Sequence, residues 1–341
     1  MKRLLNNLYV LTEDSYLSKQ GETICVHVGG NEKVRVPIHN LEAVLCYCKT
    51  TVSTPLIAFC GEKGIGLSFF SEQGRFYGRI EGPVRGNVLL RTAQYTAARN
   101  DICFSLARNF VAAKIANGRN LLIRCARESA NLADAEELRK AARNISSLVP
   151  LLKSVDNIDQ LRGVEGIVAN RYFSAFDRMI KVDRDNFAFV KRSKRPPLDP
   201  TNSLLSFLYM LLTNDVRSAL EGVGLDPAVG FLHALRPGRP SLALDLMEEL
   251  RAPLCDRMAV AMINLKQICA DDFEITPTSV NISEKARKTV ITSWQQRKKE
   301  EINHPFVQEK IPIGLIPHVQ AQLLARFLRG DLDCYPPFYW R

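Results

Sequence analysis

Three short segments carry side chains able to do chemistry on otherwise apolar frameworks: Gly163-Val164-Glu165-Gly166, Gly230-Phe231-Leu232-His233 and Ser241-Leu242-Ala243-Leu244-Asp245-Leu246-Met247-Glu248-Glu249. Together they offer carboxylate oxygens and one imidazole nitrogen, a donor set suited to a hard or borderline divalent cation. The chain has a net charge of +10 and a pI near 9.2, so its surface attracts polyanions. That combination points to metal-assisted chemistry on a phosphodiester.

Each segment also has a plainer reading. Glu165 lies beside a helical stripe of Leu161, Val164, Val168 and Tyr172, where a solvent-facing glutamate would be ordinary. The glycines on either side of it each cost a helix about 1 kcal/mol against alanine, a cost retained where another backbone or a ligand must come close. His233 is one of five histidines and precedes Arg236-Pro237-Gly238-Arg239-Pro240, a loop too rich in breakers to be helical. A lone histidine beside Phe231 and Leu232 is usually structural, but the nearby carboxylates shift that reading toward a ligand. Ser241 is placed to cap a helix striped by Leu242, Leu246, Leu250 and Leu254. Asp245 then falls near its first turn, and Glu248 and Glu249, three and four residues on, share its face. Like charges that close call for a cation; the plain alternative is an acidic surface balanced by Arg251.

The positive charge is also concentrated. Lys181, Arg184, Lys191, Arg192, Lys194 and Arg195 precede Pro196-Pro197, Arg236 and Arg239 follow His233, and Lys285, Arg287 and Lys288 lie near Trp294. As DNA-binding candidates we take Arg184, Lys191, Arg192, Lys194, Arg195, Arg236, Arg239, Lys285, Arg287 and Lys288, with Trp294 as a residue that would stack on a base. Charge runs are more often solvated faces, and a tryptophan at helical spacing is more often core.

The elements that must position these residues follow from the apolar period. Short β-branched and aromatic stretches at 8–11, 24–28, 34–38, 44–48, 67–70 and 76–80 alternate with turn formers and predict strands, with a short helix near 54–58 capped by Ser53. Beyond Gly82-Pro83 the period becomes helical, through 138–152, 158–180, 204–220, 242–268 and 286–302. The expected fold class is α+β: an N-terminal β-sheet domain followed by a larger all-α domain. The 46% hydrophobic and 24% charged content is that of an ordinary globular protein, expected to be soluble. Nine scattered cysteines with no Cys-x-x-Cys pair argue against a disulfide framework or a zinc site and for a reducing cytoplasm. The apolar run at 204–212 is about half of what a membrane span needs.

Several chemistries are set aside. Gly61-Glu62-Lys63-Gly64-Ile65-Gly66 lacks the Gly-Lys-Ser/Thr ending of a phosphate-binding loop, and neither a Gly-x-Ser-x-Gly elbow nor a His-Glu-x-x-His helix occurs.

The ordered set of Gly82-Pro83-Val84-Arg85-Gly86-Asn87-Val88-Leu89-Leu90-Arg91, Gly163 to Gly166, Asp199-Pro200-Thr201-Asn202-Ser203-Leu204-Leu205-Ser206-Phe207-Leu208-Tyr209, Gly230 to His233 and Ser241 to Arg251 resembles the CRISPR-associated integrase family, the larger, metal-dependent subunit of the spacer-acquisition machinery. The resemblance spans essentially the whole chain. The tail Asp333-Cys334-Tyr335-Pro336-Pro337-Phe338 is similar to that of members from type I systems, subtype I-C. The resemblance implies a dimerising β domain at residues 1–85 and a helical catalytic domain at 86–341. It carries the family's metal ligands onto Glu165, His233 and Glu248, with Asp245 and Glu249 as further candidates, and implies Mn²⁺ or Mg²⁺ as cofactor. It further implies that 3′-hydroxyl ends of short duplex DNA are joined into a CRISPR repeat array, by homodimers bridged through a small ribonuclease-like subunit into a heterohexamer. Two rivals remain: a metal-dependent, structure-selective repair nuclease with the same ligands, and a noncatalytic DNA-binding scaffold using only the basic surfaces.

Overall fold

The period-two pattern of the first part of the chain folds as strands and the later 3.6-residue period as helices. In this computed structural model, which describes residues 6–70, 76–80, 82 and 88–340, the chain divides into two compact units between residues 86 and 87. The first unit contains β1 (Asn6–Val10), β2 (Ser15–Gln20), β3 (Thr23–Val28), β4 (Asn31–Pro37), β5 (Leu41–Cys46), β6 (Thr50–Val52), helix α1 (Thr54–Lys63), β7 (Gly66–Phe70) and β8 (Phe76–Ile80). One sheet has the order β1-β5-β7-β8, its first three strands parallel and β8 antiparallel to β7. The other has the order β4-β3-β2-β6, with β6 parallel to β2.

Parallel pairing needs crossovers rather than tight turns, and α1 lies in the connection that carries the chain from β5 to its parallel neighbour β7. Leu17, Ile24, Val44, Leu56 and Leu67 form the core of this unit. Strands β2 and β6 were not expected, because Ser15, Ser18, Lys19 and Gln20 obscure the alternation in one and the other is three residues long. Ser53 occupies the N-cap position of α1 but makes no side-chain capping bond; Pro55 in the first turn sets the helix start instead. Residues 83–87 of the Gly82 motif lie outside the described residues.

The second unit is helical: α2 (Val88–Ala97), α3 (Asp101–Arg127), α4 (Leu132–Ser146), α5 (Leu151–Ser154), α6 (Ile158–Ser174), α7 (Pro200–Val223), α8 (Ser241–Met247), α9 (Arg257–Asn264), α10 (Glu284–Lys299) and α11 (Ile316–Leu328). Two small hairpins, β9 (Phe273–Ile275) with β10 (Val280–Ile282) and β11 (Glu301–Asn303) with β12 (Lys310–Pro312), interrupt its later part. The side chains of Asn100, Asn131, Asn157 and Asp199 accept backbone N–H groups at the starts of α3, α4, α6 and α7. Helix α3 packs on α4 and α6, and Gly118 permits the approach, since a Cβ there would lie 3.3 Å from the Tyr172 ring.

Two expectations are corrected. Residues 242–268 are not one helix: α8 ends at Met247, and a π-helical turn at Arg251–Asp256 precedes α9. Pro253, which has no N–H to donate, lies inside that turn. Trp294 is 2% exposed, and its Nε1 donates to Asp215 at 3.0 Å, so it belongs to the core and stacks on no base. No helix among the described residues is long and apolar enough to cross a membrane.

Candidate active site

The loop bearing His233 closes onto the start of α8 at Gly230. A Cβ there would stand 2.6 Å from Asp245 Oδ2 and 2.7 Å from the Ser241 carbonyl carbon, so only glycine fits. The close approach lets the fully buried Asp245 take the backbone N–H groups of Phe231 (2.5 Å) and Leu232 (2.9 Å) on Oδ2, and that of His233 (2.9 Å) on Oδ1. Oδ1 also meets His233 Nδ1 at 2.7 Å. A proton on Nδ1 satisfies that contact and leaves the Nε2 lone pair open. Nε2 makes no hydrogen bond among the described residues.

Asp245 is thus saturated by four donors and positions the histidine, which corrects its candidacy as a metal ligand. Ser241 does not cap α8 through its side chain; Pro240 holds the N-cap position, and Ser241 Oγ instead donates to the Ala234 carbonyl at 3.1 Å. Arg162 of α6 fixes the loop from the other side through the Leu232 carbonyl, 2.7 Å from its Nε.

Glu165, from the middle of α6, and Glu248, just beyond α8, meet across Lys114 of α3. The Lys114 ammonium pairs closely with Glu165 Oε1 and lies 2.8 Å from Glu248 Oε2, while Arg251 Nη1 is 2.6 Å from Glu248 Oε1. The Glu248 side chain is 4% exposed. Burial alone would push its carboxyl up, but Arg251 and Lys114, helped by His233, outweigh that and hold it well below the usual carboxylate range. Oε2 has its ion pair yet no well-directed hydrogen bond. The Arg251 guanidinium in turn lies 4.3 Å from the centre of the Tyr209 ring. Tyr209 and Tyr172 donate their hydroxyls to the buried Asp256 at 2.5 and 2.8 Å. A cavity of about 20 Å³ runs beside Lys114, Gly118, Tyr172, Tyr209 and Glu248, enough for roughly one water molecule.

Glu249 faces the opposite way. Its carboxylate accepts from Tyr335 Oη, Gln320 Nε2 and the Phe338 backbone N–H, each at 2.8 Å. Burial pushes its carboxyl up to about 7, against the lowering effect of those bonds. The shared face expected for Asp245, Glu248 and Glu249 therefore does not form: each carboxylate serves a different neighbour, and Glu249 is excluded as a ligand by its place in the packing.

Among the described residues, no three carboxylate, imidazole or thiol groups converge on a ready-made metal site. The donor set nevertheless fits a divalent cation: two carboxylates already share one positive charge, one of their oxygens lacks a directed hydrogen bond, and an imidazole is held with Nε2 open. Around Glu165, Cβ atoms on Gly163 and Gly166 would meet nothing within 4 Å. Of the two reasons expected for these glycines, a neighbouring backbone of this chain is not found there among the described residues, so that flank is open and the ligand alternative stands.

The basic candidates separate into two groups. Lys191, Lys194, Arg195, Arg236 and Lys285 are exposed and Arg239 is half-buried. Burial and then the neighbouring charge of Arg236 push the Arg239 guanidinium down, with Arg162 and Arg195 adding to the effect, which marks a shared positive patch beside the histidine loop. Arg184 and Arg192 are corrected to structural roles: Arg184 pairs with buried Asp134 at 2.5 Å, and Arg192 donates to Asn202 Oδ1 at 2.6 Å and Ser206 Oγ at 3.0 Å. Arg287 is buried. Lys288 forms a surface pair with Glu284, too weak to withhold it from a phosphate. Sequence reasoning missed Lys114, Tyr209 and the inward role of Arg251; the available signal was a lysine four residues after buried Phe110 and four before Gly118, at core spacing.

Residues 8–296 match the family model described as CRISPR associated protein Cas1. The chain belongs to the Cas1 family. It is 49% identical over 343 residues to CRISPR-associated endonuclease Cas1 1 of Chlorobaculum tepidum, and 49% identical over 348 residues to CRISPR-associated endonuclease Cas1 2 of Rhodospirillum rubrum, with 100% of each chain covered in both cases. At such identity over full length, it is an enzyme of a CRISPR-associated endonuclease family. The fold is that of a Cas1 protein from Thermotoga maritima (TM-score 0.82, 21% identity, 96% of this chain and 97% of that one). It is shared with a casposase bound to integration product (TM-score 0.82, 18% identity, 98% and 94%). A Cas6-RT-Cas1–Cas2 complex contains it too (TM-score 0.82, 22% identity, 98% of this chain and 36% of that one).

Proposed function

We propose that this Cas1-family chain is an integrase that joins the 3′-hydroxyl ends of short duplex DNA into a CRISPR repeat, with Glu165, His233 and Glu248 holding one Mn²⁺ or Mg²⁺. The observation that carries the reading is that Glu165 and Glu248, from separate helical segments, share one positive charge beside an open Glu165 flank. When bound, the ion supplies a Lewis acid that polarises the scissile phosphate and offsets its added charge. The imidazole favours Mn²⁺ over Mg²⁺, which prefers all-oxygen shells.

The chain's own residues do the rest. Asp245 fixes the Nδ1–H tautomer of His233 and keeps Nε2 pointed away from itself. Arg251 and Lys114 keep Glu248 ionised although it is buried. Arg195, Arg236 and Arg239 grip the backbone phosphates of the DNA, with Lys191, Lys194, Lys285 and Lys288 extending the contact. In the reaction a 3′-oxygen forms a new bond to phosphorus as the target strand's P–O bond breaks and its 3′-hydroxyl leaves, so no ATP is consumed.

The unit at residues 1–85 forms the homodimer, and residues 86–341 carry catalysis. A small ribonuclease-like subunit bridges two dimers into a heterohexamer, a reading supported by the fold's occurrence in a complex with Cas2. The tail at 333–338 supports type I, subtype I-C, and a chain acting on cellular DNA works in the cytoplasm.

The test is joining of a labelled duplex with free 3′-hydroxyls to a supercoiled, repeat-bearing plasmid in Mn²⁺, with and without the small subunit. Joined product that disappears with blocked 3′ ends and with His233→Ala supports the integrase. Equal cutting with blocked ends favours the repair nuclease, and binding with neither cutting nor joining favours the scaffold.

A further inference from the structure

Lys114 stands where the cation of a two-carboxylate site would be wanted. Its side chain is 15% exposed, its ammonium contacts Glu165 and Glu248 together, and it is supplied by α3. Two carboxylates this close, one of them buried, repel each other unless a positive charge lies between them. Arg251 serves Glu248 alone through Oε1; among the described residues only Lys114 pairs with both. The long aliphatic stem of a lysine lets its head move without disturbing the helix that carries it, and the cavity beside Lys114 leaves room for such movement.

We propose that Lys114 is a built-in counter-ion: it neutralises Glu165 and Glu248 in the metal-free protein, must surrender that place when a divalent ion enters, and then offers its charge to a DNA phosphate. The inference rests on the ligand assignment above and deepens it. The same lysine cannot serve the carboxylates and a phosphate at once. An ion entering without DNA must therefore displace Lys114 with no compensating partner. An ion entering with DNA releases the ammonium to an anion that welcomes it. Metal and DNA then bind cooperatively, each strengthening the other by the same factor. Lys114 acts as a positioning residue for the metal and as a phosphate contact only once it is released.

The experiment measures free Mn²⁺ by its electron paramagnetic resonance signal during titration of the full chain, with and without a short DNA duplex, for wild type, Lys114→Met, Lys114→Arg and Glu165→Gln. Thermal melts of each variant establish that it is folded. Wild type is expected to bind Mn²⁺ about tenfold more tightly when DNA is present, a coupling of ordinary size. Lys114→Met should bind Mn²⁺ about tenfold more tightly than wild type without DNA and gain little more when DNA is added. Lys114→Arg, which keeps the charge, should stay near wild type without DNA. Metal affinity unchanged in Lys114→Met, with Glu165→Gln still weakening it, would overturn this inference and leave the ligand assignment standing. Mn²⁺ binding that is indifferent to Glu165→Gln would overturn the ligand assignment itself, and this inference with it.

Discussion

Glu248 and Glu249 are consecutive, both buried, and opposite in chemistry. Burial pushes both carboxyls up by the same mechanism, yet Glu248 is held well below the usual range by Arg251 and Lys114, whereas Glu249, whose neighbours are a phenol, an amide and a backbone N–H, is pushed up to about 7. Neutral donors do not recover the solvation lost by a buried carboxylate; cations do. The backbone therefore divides at this point into two faces. One side is a charged site whose anion is kept for use, and the other is a clasp that fastens the C-terminal tail. Asn117 of α3 reinforces the clasp: its amide donates to the Glu249 carbonyl at 2.7 Å and the Phe338 carbonyl at 2.8 Å, and its oxygen accepts from the Trp340 N–H at 2.8 Å.

The sharpest way to break this comparison is to neutralise each acid in turn. Glu248→Gln should lower DNA joining and cutting at least about 1000-fold, equivalent to about 4 kcal/mol of transition-state stabilisation. Glu249→Gln should stay within about threefold of wild type; single-turnover rates in Mn²⁺ check both, and equal losses would erase the distinction. Next in size, Arg251→Met leaves a buried Glu248 short of one cation and should destabilise the fold by about 3 kcal/mol at neutral pH in urea melts. Because the folded-state pKa of Glu248 is depressed, its contribution is present above the ordinary value of 4.5 and lost as the pH falls. The deficit of Arg251→Met should accordingly shrink in acid.

Glu249 has the opposite sign. Between pH 4.5 and about 7 the folded chain keeps a proton that the unfolded chain has released, so stability falls as the pH rises through that window and levels off above it. Relative to Glu249→Gln, wild type should lose about 3 kcal/mol across that window; parallel urea-melt profiles would show that Glu249 titrates normally. The smallest effect is that of Tyr335→Phe, which removes one hydroxyl from the clasp and should cost about 1 kcal/mol with joining rates unchanged.

Much of this arrangement was legible beforehand. The change from period two to helical period near Gly82, the stripe that places Glu165 on α6, and the breaker-rich loop around His233 all follow from local pattern, and the Gly230 to His233 and Ser241 to Glu249 segments do meet. What was not legible depended on geometry that no local pattern encodes. Asp245, Glu248 and Glu249 share a face only if the helix continues, and it ends at Met247. Arg192, read as a phosphate contact, is held by Asn202 and Ser206 on a later helix. Trp294 needed Asp215 on α7 to identify it as core. Lys114 could be understood only once α3, α6 and the residues after α8 were seen together.

The central claim is that Glu248, and not its equally buried neighbour, belongs to the reacting site. The most direct measurement is Mn²⁺ binding, followed by paramagnetic resonance in the presence of a short duplex, for wild type, Glu248→Gln and Glu249→Gln at pH 8, with folding confirmed by melts. The account predicts that Glu248→Gln abolishes stoichiometric binding while Glu249→Gln retains it; tight binding by folded Glu248→Gln would contradict it.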